Sequence, residues 1–318
     1  MRAPVLSVAA SAAFLACALG GAGLAATGAP ASGKTPPGHD LSQVSSGKRV
    51  LPGGACGGPQ RTAGGLYVPR GIEAEVVTIS MTDGYKLAAD FIRRPKPTTT
   101  TPGLIFLHDA GVSRRAWNPI AVQSGGRGYA VLSVDLRGHG ENPSMKGNPP
   151  VSSTDLTPEQ WALMLDDVHN IVSFMAMRGD VDAGNVAIVG SGLGATLALK
   201  AAAETWGEAI RCVIAINPKV EARGIRLDAG LKAIGRKRPV YIATTASGSP
   251  AWTESKAVEA LLPPVKVFQE NPELKDGPNS MCSGIYRIIP VWLHESLPPV
   301  STRPGRGKIP APRAGATQ

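Results

Sequence analysis

The chain has 318 residues, 43% hydrophobic content and a formal net charge of +9 at pH 7, which allows one large or two small domains with a substantial core. The excess charge lies in the two flanks, because residues 73–300 hold 23 basic and 23 acidic side chains. A neutral body offers no basic face to phosphates, so the composition excludes a nucleic-acid-binding domain.

The first 72 residues predict export followed by a linker. Arg2 precedes an apolar, alanine-rich run over 5–26 and then small residues and prolines, which is typical of a signal peptide in residues 1–28. The same run is long enough to remain as a membrane anchor. Residues 29–72 are rich in Gly, Pro, Ser and Thr and predict a flexible linker. We therefore expect a periplasmic or extracellular protein, or one associated with the membrane through its N-terminus.

The four cysteines do not predict a disulfide framework. Cys17 follows Phe-Leu-Ala in a pattern that resembles a bacterial lipobox, so lipid modification at Cys17 is an alternative to cleavage. Cys56 and Cys282 could pair in an oxidising compartment, and the sequence leaves this open. Cys212 lies in an apolar run and is interpreted as a core residue. No spacing indicates zinc or a c-type haem, and we expect neither a metal nor a cofactor.

From residue 73 to residue 297 the hydrophobic pattern predicts strands that alternate with helices. The predicted strands are 75–81, 86–93, 103–109, 129–136, 185–189, 210–216, 239–244 and 265–269. The predicted helices are 116–123, 158–178, 193–206, 228–234, 254–261 and 284–296. This alternation predicts one α/β domain, a doubly wound and mostly parallel sheet with helices on both faces. Residues 298–318 predict a disordered basic tail.

One stretch has the layout of a nucleophile elbow. Residues 185–196 read Asn-Val-Ala-Ile-Val-Gly-Ser-Gly-Leu-Gly-Ala-Thr, a β-branched strand that enters a glycine-rich turn and then a helix. In the G-x-S-x-G pattern the outer glycines flank the serine, and here they are Gly190 and Gly194. The apex is therefore Gly192, and the nearby hydroxyl, Ser191, is one position early.

Residues 73–297 resemble a compact α/β-hydrolase of the dienelactone-hydrolase-like or S33-peptidase-like type. The resemblance rests on His108-Asp109-Ala110-Gly111 after the third predicted strand, on residues 128–140, on the elbow and on the order of the elements. It implies a Ser-His-acid mechanism and an oxyanion hole made by the backbone N–H of Leu193 with that of Asp109 or Ala110. The short segment 218–239 predicts no large lid domain.

The residues that such a mechanism needs are not found at their expected positions. Gly192 has no side chain, no carboxylate lies between Asp228 and Glu254, and no histidine lies between His169 and His294. We therefore predict no catalytic residues and a pseudoenzyme with a binding or scaffolding role in the cell envelope. An active esterase or peptidase that uses a non-standard site around Ser191 is the alternative.

The surviving backbone donors predict a binding site for a small carbonyl or carboxylate ligand. An inward-pointing Asp109 would oppose an anion there. The sequence leaves the oligomeric state open. The predicted ligand-binding residues are His108, Asp109, Ala110, Ser191, Gly192 and Leu193.

Other polar residues have structural interpretations. The resemblance implies that His108 orients its loop, although its place at the end of a strand also allows contact with a ligand, and His139 belongs to an architectural Arg-Gly-His-Gly turn. Arg114 and Arg115 are typical of a solvated helix start. Residues 166 and 167 are adjacent aspartates on one predicted helix, so their side chains point in different directions. This arrangement predicts a solvated face or a salt bridge rather than a metal site.

Overall fold

The computed structural model describes residues 60–61, 66–95, 99–143, 152–204, 209–235, 238–264, 267–275 and 283–298. The predicted signal peptide, Cys17, the Cys56–Cys282 pair and the basic tail lie outside these residues. Each helix within them is too short or too polar to cross a lipid bilayer.

The described residues form strands and helices in alternation over most of the chain. The strands are β1 Gln60–Arg61, β2 Tyr67–Val68, β3 Glu73–Ser80, β4 Lys86–Arg93, β5 Thr101–Leu107, β6 Ala130–Val134, β7 Val181–Ser191, β8 Ile210–Ile216, β9 Glu221–Ala222, β10 Ile225–Arg226, β11 Val240–Thr244 and β12 Val267–Glu270. The helices are α1 Asn118–Arg127, α2 Pro158–Ala162, α3 Met164–Ala176, α4 Leu193–Ala203, α5 Pro250–Leu261 and α6 Ser283–Ser296, with 3-10 turns at Arg114–Trp117 and Ala229–Ile234.

Eight of the described strands form one sheet in the order β12-β11-β8-β7-β5-β6-β4-β3. β4 pairs antiparallel with β3 and β6, and the other neighbours are parallel. The predicted fold class is confirmed. The carboxyl ends of β5 and β7 lie side by side where the chain reverses its direction of winding, and ligands of open α/β sheets bind at such switch points.

Alternate residues of the central strands pack into cores on opposite faces of the sheet. Ile105 and Leu107 of β5 join the cluster that contains α3 and α4, whereas Leu104 and Phe106 join the cluster that contains α1 and α6. Because both faces are covered, β5 is a continuous apolar run rather than an alternating one.

Several predicted boundaries differ from the structure. The predicted linker 29–72 is wrong at its C-terminal end, where β1 pairs with β2 and where Leu66 and Val68 are each 4% exposed. The predicted helix 158–178 is two helices, α2 and α3, and Thr157 forms the predicted capping box with Gln160. α5 begins at Pro250 rather than at residue 254, because Ser249 caps it and accepts a hydrogen bond from the N–H of Trp252.

The segment between β8 and β11 is small. Its described residues form the β9–β10 hairpin and the 3-10 turn Ala229–Ile234. In this part of the chain there is no large lid over the carboxyl edge of the sheet, as the sequence predicted.

Candidate functional site

The turn between β7 and α4 has the backbone of a nucleophile elbow. Gly192 has φ +51° and ψ −114°, a conformation that residues with side chains adopt only under strain. A Cβ added to Gly190 or Gly194 would lie 2.3 Å or 2.2 Å from a backbone carbonyl oxygen, so neither position accepts a larger residue. The apex is therefore Gly192, as the sequence predicted, and Ser191 ends the preceding strand.

The carboxylate of Asp109 fills the space in front of this apex. A Cβ built on Gly192 would lie 2.1 Å from Asp109 Cγ, which is well inside van der Waals contact. Leu107 of β5 pairs with Gly190 of β7, and this register brings the loop after β5 against the elbow. An acidic side chain from the loop after the neighbouring strand thus occupies the volume where an elbow nucleophile would begin.

The same carboxylate accepts the backbone donors of the predicted oxyanion hole. Asp109 Oδ1 accepts hydrogen bonds from the N–H groups of Leu193 and Ala110, each at 2.8 Å. Leu193 begins α4, where the helix dipole favours a negative charge. Asp109 is 5% exposed, so its charge is stabilised by these donors rather than by bulk water. The inward orientation that would oppose an anionic ligand is the one found.

His108 is fully buried and its two ring nitrogens are both occupied. Nδ1 lies 2.7 Å from the carbonyl oxygen of Asp109, to which it donates, and Nε2 accepts a hydrogen bond from the N–H of Leu136 at 2.9 Å. Burial lowers the pKa of His108 to about 4. The ring is therefore neutral at physiological pH and orients the Asp109 loop, with no lone pair left to accept a proton from a hydroxyl.

The buried neutral state of His108 predicts acid sensitivity. Its folded pKa lies below the usual value near 6.5, so the unfolded chain binds the extra proton and stability falls as the pH falls from 6.5 to 4. This one group should cost about 3 kcal/mol over that interval. We expect His108→Gln, which retains an acceptor for Leu136, to be less stable at pH 7 but to lose less stability on acidification.

Urea unfolding at pH 7.0, 5.5 and 4.5 measures this difference. His294 is exposed on α6, and His294→Gln provides the control, with the wild-type pH profile expected. Equal acid-induced losses in wild type and His108→Gln would contradict the assignment.

His139 is held in the same manner. Its Nδ1 lies 2.8 Å from the carbonyl oxygen of Arg137, and Nε2 accepts from the N–H of Gly111 at 3.2 Å. Burial lowers its pKa as well. The ring joins the loop after β5 to the turn after β6 and has the architectural role that the sequence predicted.

A cavity of about 400 Å³ opens in front of Asp109. Its far side comes from the β9–β10 hairpin, whose Arg223 and Gly224 have φ of +53° and +81°, the signature of a tight two-residue turn. The guanidinium of Arg223 lies 5.1 Å from the ring centroid of Trp161. The lining residues are Asp109, Ala110, Leu193, Lys219, Glu221, Ala222 and Arg223.

Three of the six predicted ligand-binding residues line this cavity, namely Asp109, Ala110 and Leu193. The other three do not: His108 is 0% exposed, Ser191 is 3% exposed, and Gly192 is covered by the Asp109 carboxylate. These three residues lie behind the surface that faces the cavity, and their contact with a ligand stays a prediction. Lys219 and Arg223 also line the cavity but were not among the predicted ligand-binding residues. The sequence signal that could have predicted their hairpin is the Arg-Gly pair, which is typical of a turn, between two short apolar runs.

The interpretation of Arg114 as solvated is wrong. Arg114 is 1% exposed, and its guanidinium forms ion pairs with Asp90, Asp135 and Glu141. Its backbone N–H also donates to Asp135 Oδ1 at 2.8 Å. Arg115, by contrast, has a side chain that is 53% exposed. The cluster fixes the end of β6 beneath the loop that carries Asp109.

The pair of aspartates on α3 divides as the salt-bridge alternative predicted. Asp167 is 1% exposed and accepts two hydrogen bonds from Arg137, at 2.9 and 2.7 Å, while Asp166 is exposed. Arg137 also bonds Asp83 at 2.7 Å. Among the described residues, no group of three or more His, Cys, Asp and Glu side chains could hold a metal ion.

Comparison with known proteins assigns the family. The model of the alpha/beta hydrolase family matches residues 104–313. The chain belongs to the alpha/beta hydrolase family. Among curated proteins, none matches its sequence.

Solved structures share the alpha/beta hydrolase fold at low identity. A hypothetical protein from Pseudomonas aeruginosa is 12% identical with a TM-score of 0.58, over 76% of this chain and 100% of that one. Dienelactone hydrolase from Anabaena variabilis is 17% identical with a TM-score of 0.56, over 72% and 100%. Acetyl xylan esterase from Paenibacillus sp. R4 is 17% identical with a TM-score of 0.55, over 72% and 85%.

In this alpha/beta hydrolase an amide or a hydroxyl is the first side chain after each of the strands β8, β11 and β12, whose loops would carry an acid or a histidine. Asn217 follows β8, Thr245 follows β11 and Asn271 follows β12. The side chain of Asn217 accepts from the N–H of Thr245 at 3.2 Å and donates to the carbonyl oxygen of Lys275 at 3.1 Å. These groups tie the three loops together, and none of them is a base.

Proposed function

We propose that this alpha/beta hydrolase is exported and binds a small ligand in the cell envelope without hydrolysing it. The observation that supports this most strongly is the Asp109 carboxylate, which occupies both the nucleophile volume at Gly192 and the donors of Leu193 and Ala110. A substrate carbonyl could reach those donors only if the carboxylate moved away. The engaged ring nitrogens of His108 and His139 support the same conclusion.

The proposal predicts that the purified full-length chain neither reacts with serine-hydrolase probes nor hydrolyses ester substrates. We expect no labelling by a fluorophosphonate probe and no turnover of p-nitrophenyl acetate above the rate in buffer, because the described residues at the elbow offer neither an apex nucleophile nor a histidine with a free ring nitrogen. An active esterase in the same assay shows that the reagents work. Labelling that disappears in Ser191→Ala would overturn the proposal in favour of catalysis by Ser191.

Export is the part of the proposal supported by sequence alone. The apolar run 5–26 supports a signal peptide or an anchor, and Cys17 supports lipid attachment as the alternative. Fractionation of expressing cells should place the protein outside the cytoplasm. Recovery of the unprocessed chain in the cytoplasm would count against export and leave the binding role to be judged separately.

A further inference from the structure

The cavity in front of Asp109 has charges of both signs on its walls. Asp109 and Glu221 are acidic, and Lys219 and Arg223 are basic. Within the described part of the chain, neither Lys219 nor Arg223 forms an ion pair, whereas Glu221 lies 3.5 Å from Arg226. The cavity therefore presents two unpaired cations and one buried carboxylate.

The second carboxylate oxygen of Asp109 is the group that points to a ligand. Oδ1 accepts two backbone hydrogen bonds, from Leu193 and Ala110. Among the described residues, none donates to Oδ2, and Asp109 as a whole residue is 5% exposed. Oδ2 keeps some exposure and borders the cavity, where a protonated amine is among the strongest partners of a carboxylate oxygen.

The cations are fixed in place by the backbone that carries them. The N–H of Lys219 donates to Thr196 Oγ1 at 3.3 Å, and Thr196 Oγ1 donates to the carbonyl oxygen of Lys219 at 3.0 Å. Arg223 is held by the two-residue turn and by its contact with Trp161. Both side chains therefore start from rigid positions beside the cavity.

We propose that this cavity binds a small zwitterion, with a protonated amine on Asp109 Oδ2 and a carboxylate on Lys219 and Arg223. This deepens the proposed binding function and rests on it. A simple anion would face the Asp109 carboxylate, and a simple cation would face Lys219 and Arg223, so each would leave one wall uncompensated. A ligand with both charges satisfies both walls, and complementarity of this kind determines specificity.

Isothermal titration calorimetry on the purified full-length chain tests the proposal with matched probes. 4-Aminobutyrate, 6-aminohexanoate and 8-aminooctanoate carry both charges at different separations, while hexanoate and hexylamine carry one each. We expect at least one amino acid of the series to bind with a Kd of about 1 mM or tighter. Hexanoate and hexylamine should bind at least about tenfold more weakly, which corresponds to about 1.4 kcal/mol.

Variants assign each end of the ligand. Asp109→Asn retains an oxygen for the two backbone donors but presents an amide N–H₂ to the amine. This variant should lower the affinity for the zwitterion at least about tenfold. Arg223→Gln and Lys219→Gln should each lower the affinity for the zwitterion, whereas hexylamine should bind more tightly because a like charge has been removed from the wall that it faces. The matched surface controls, Asp166→Asn and Arg211→Gln, should leave all affinities unchanged, since both residues are exposed.

The outcomes separate this inference from the proposed function. If hexanoate binds as tightly as the zwitterions, the proposal of a zwitterionic ligand is overturned and a non-hydrolytic carboxylate-binding protein remains. If none of the probes binds, or if Asp109→Asn does not affect binding, that proposal is overturned as well. Fluorophosphonate labelling or ester turnover, measured on the same preparation, would overturn the proposed function instead.

Discussion

Replacement of Gly192 by serine is expected to destabilise the protein rather than to create a hydrolase. The backbone at φ +51° strains any residue with a side chain, and the new Cβ would lie 2.1 Å from Asp109 Cγ. Strain of this kind costs about 1 to 3 kcal/mol, and overpacking costs a similar amount. We therefore expect a loss of about 2 to 5 kcal/mol in urea unfolding.

A second substitution separates the two contributions. In Gly192→Ser/Asp109→Ala the contact is removed while the backbone strain remains, so the double variant should be more stable than the sum of the single effects predicts. We expect a coupling of at least about 1 kcal/mol between the two positions, as for residues in direct contact. Additive losses would show that Asp109 does not occupy the space in front of Gly192.

Gly179 provides a matched control for the glycine substitution. Nothing lies within 4 Å of a Cβ added there, and we expect Gly179→Ser to change stability by no more than about 0.5 kcal/mol. The double variant also tests the mechanism, because it combines an apex serine with vacated oxyanion donors. It should remain inactive toward esters, since His108 and His139 still have their nitrogens in backbone hydrogen bonds.

Local patterns were sufficient to predict the fold and the apex. The β-branched run before Gly190 and the helix formers after Gly194 specify a strand, a turn and a helix. These signals depend only on residues that are neighbours in the sequence, so the sequence alone is enough to predict them. The start of α5 was missed although its signals, a capping Ser249 followed by Pro250, are also local. The apolar pattern begins only near residue 254, four residues after the start that the cap specifies.

The position of the Asp109 carboxylate in front of Gly192 could not be predicted, because it depends on contacts between residues that are far apart in the sequence. Asp109 and Leu193 are 84 positions apart, and only the register of β5 against β7 brings them together. The hydrophobic pattern within each segment contains no information about that register. The sequence indicates what an inward Asp109 would do to a ligand, but the orientation of this side chain follows from the packing of the two strands.

Arg114 illustrates the same limitation in the core. Two consecutive arginines at a helix start predict solvation, but one of them lies among carboxylates from β4, from the end of β6 and from the turn that follows. The partners Asp135 and Glu141 are 21 and 27 positions away. Burial of a charge follows from such partners and not from the local composition.

This buried cluster leads to the other large expected effect. Arg114→Met should cost about 3 to 5 kcal/mol, because it removes the cation and leaves the carboxylates of Asp90 and Asp135 without a counter-charge. Arg115→Met is the neighbouring control. Arg115 pairs with Glu141 at the surface, where both side chains are about half exposed, and its loss should cost no more than about 1 kcal/mol.

The pH dependence of the Arg114→Met loss distinguishes an unpaired charge from a simple packing defect. Desolvation already raises the pKa of Asp90 while Arg114 opposes the shift, so removal of the arginine should raise that pKa further. A folded pKa above the unfolded value means that the folded state takes up a proton as the pH falls, which favours folding. The variant should therefore lose most stability near pH 7 and less near pH 5, relative to wild type. A loss that is equal at the two pH values would indicate a cavity left by the missing side chain and would contradict the electrostatic explanation.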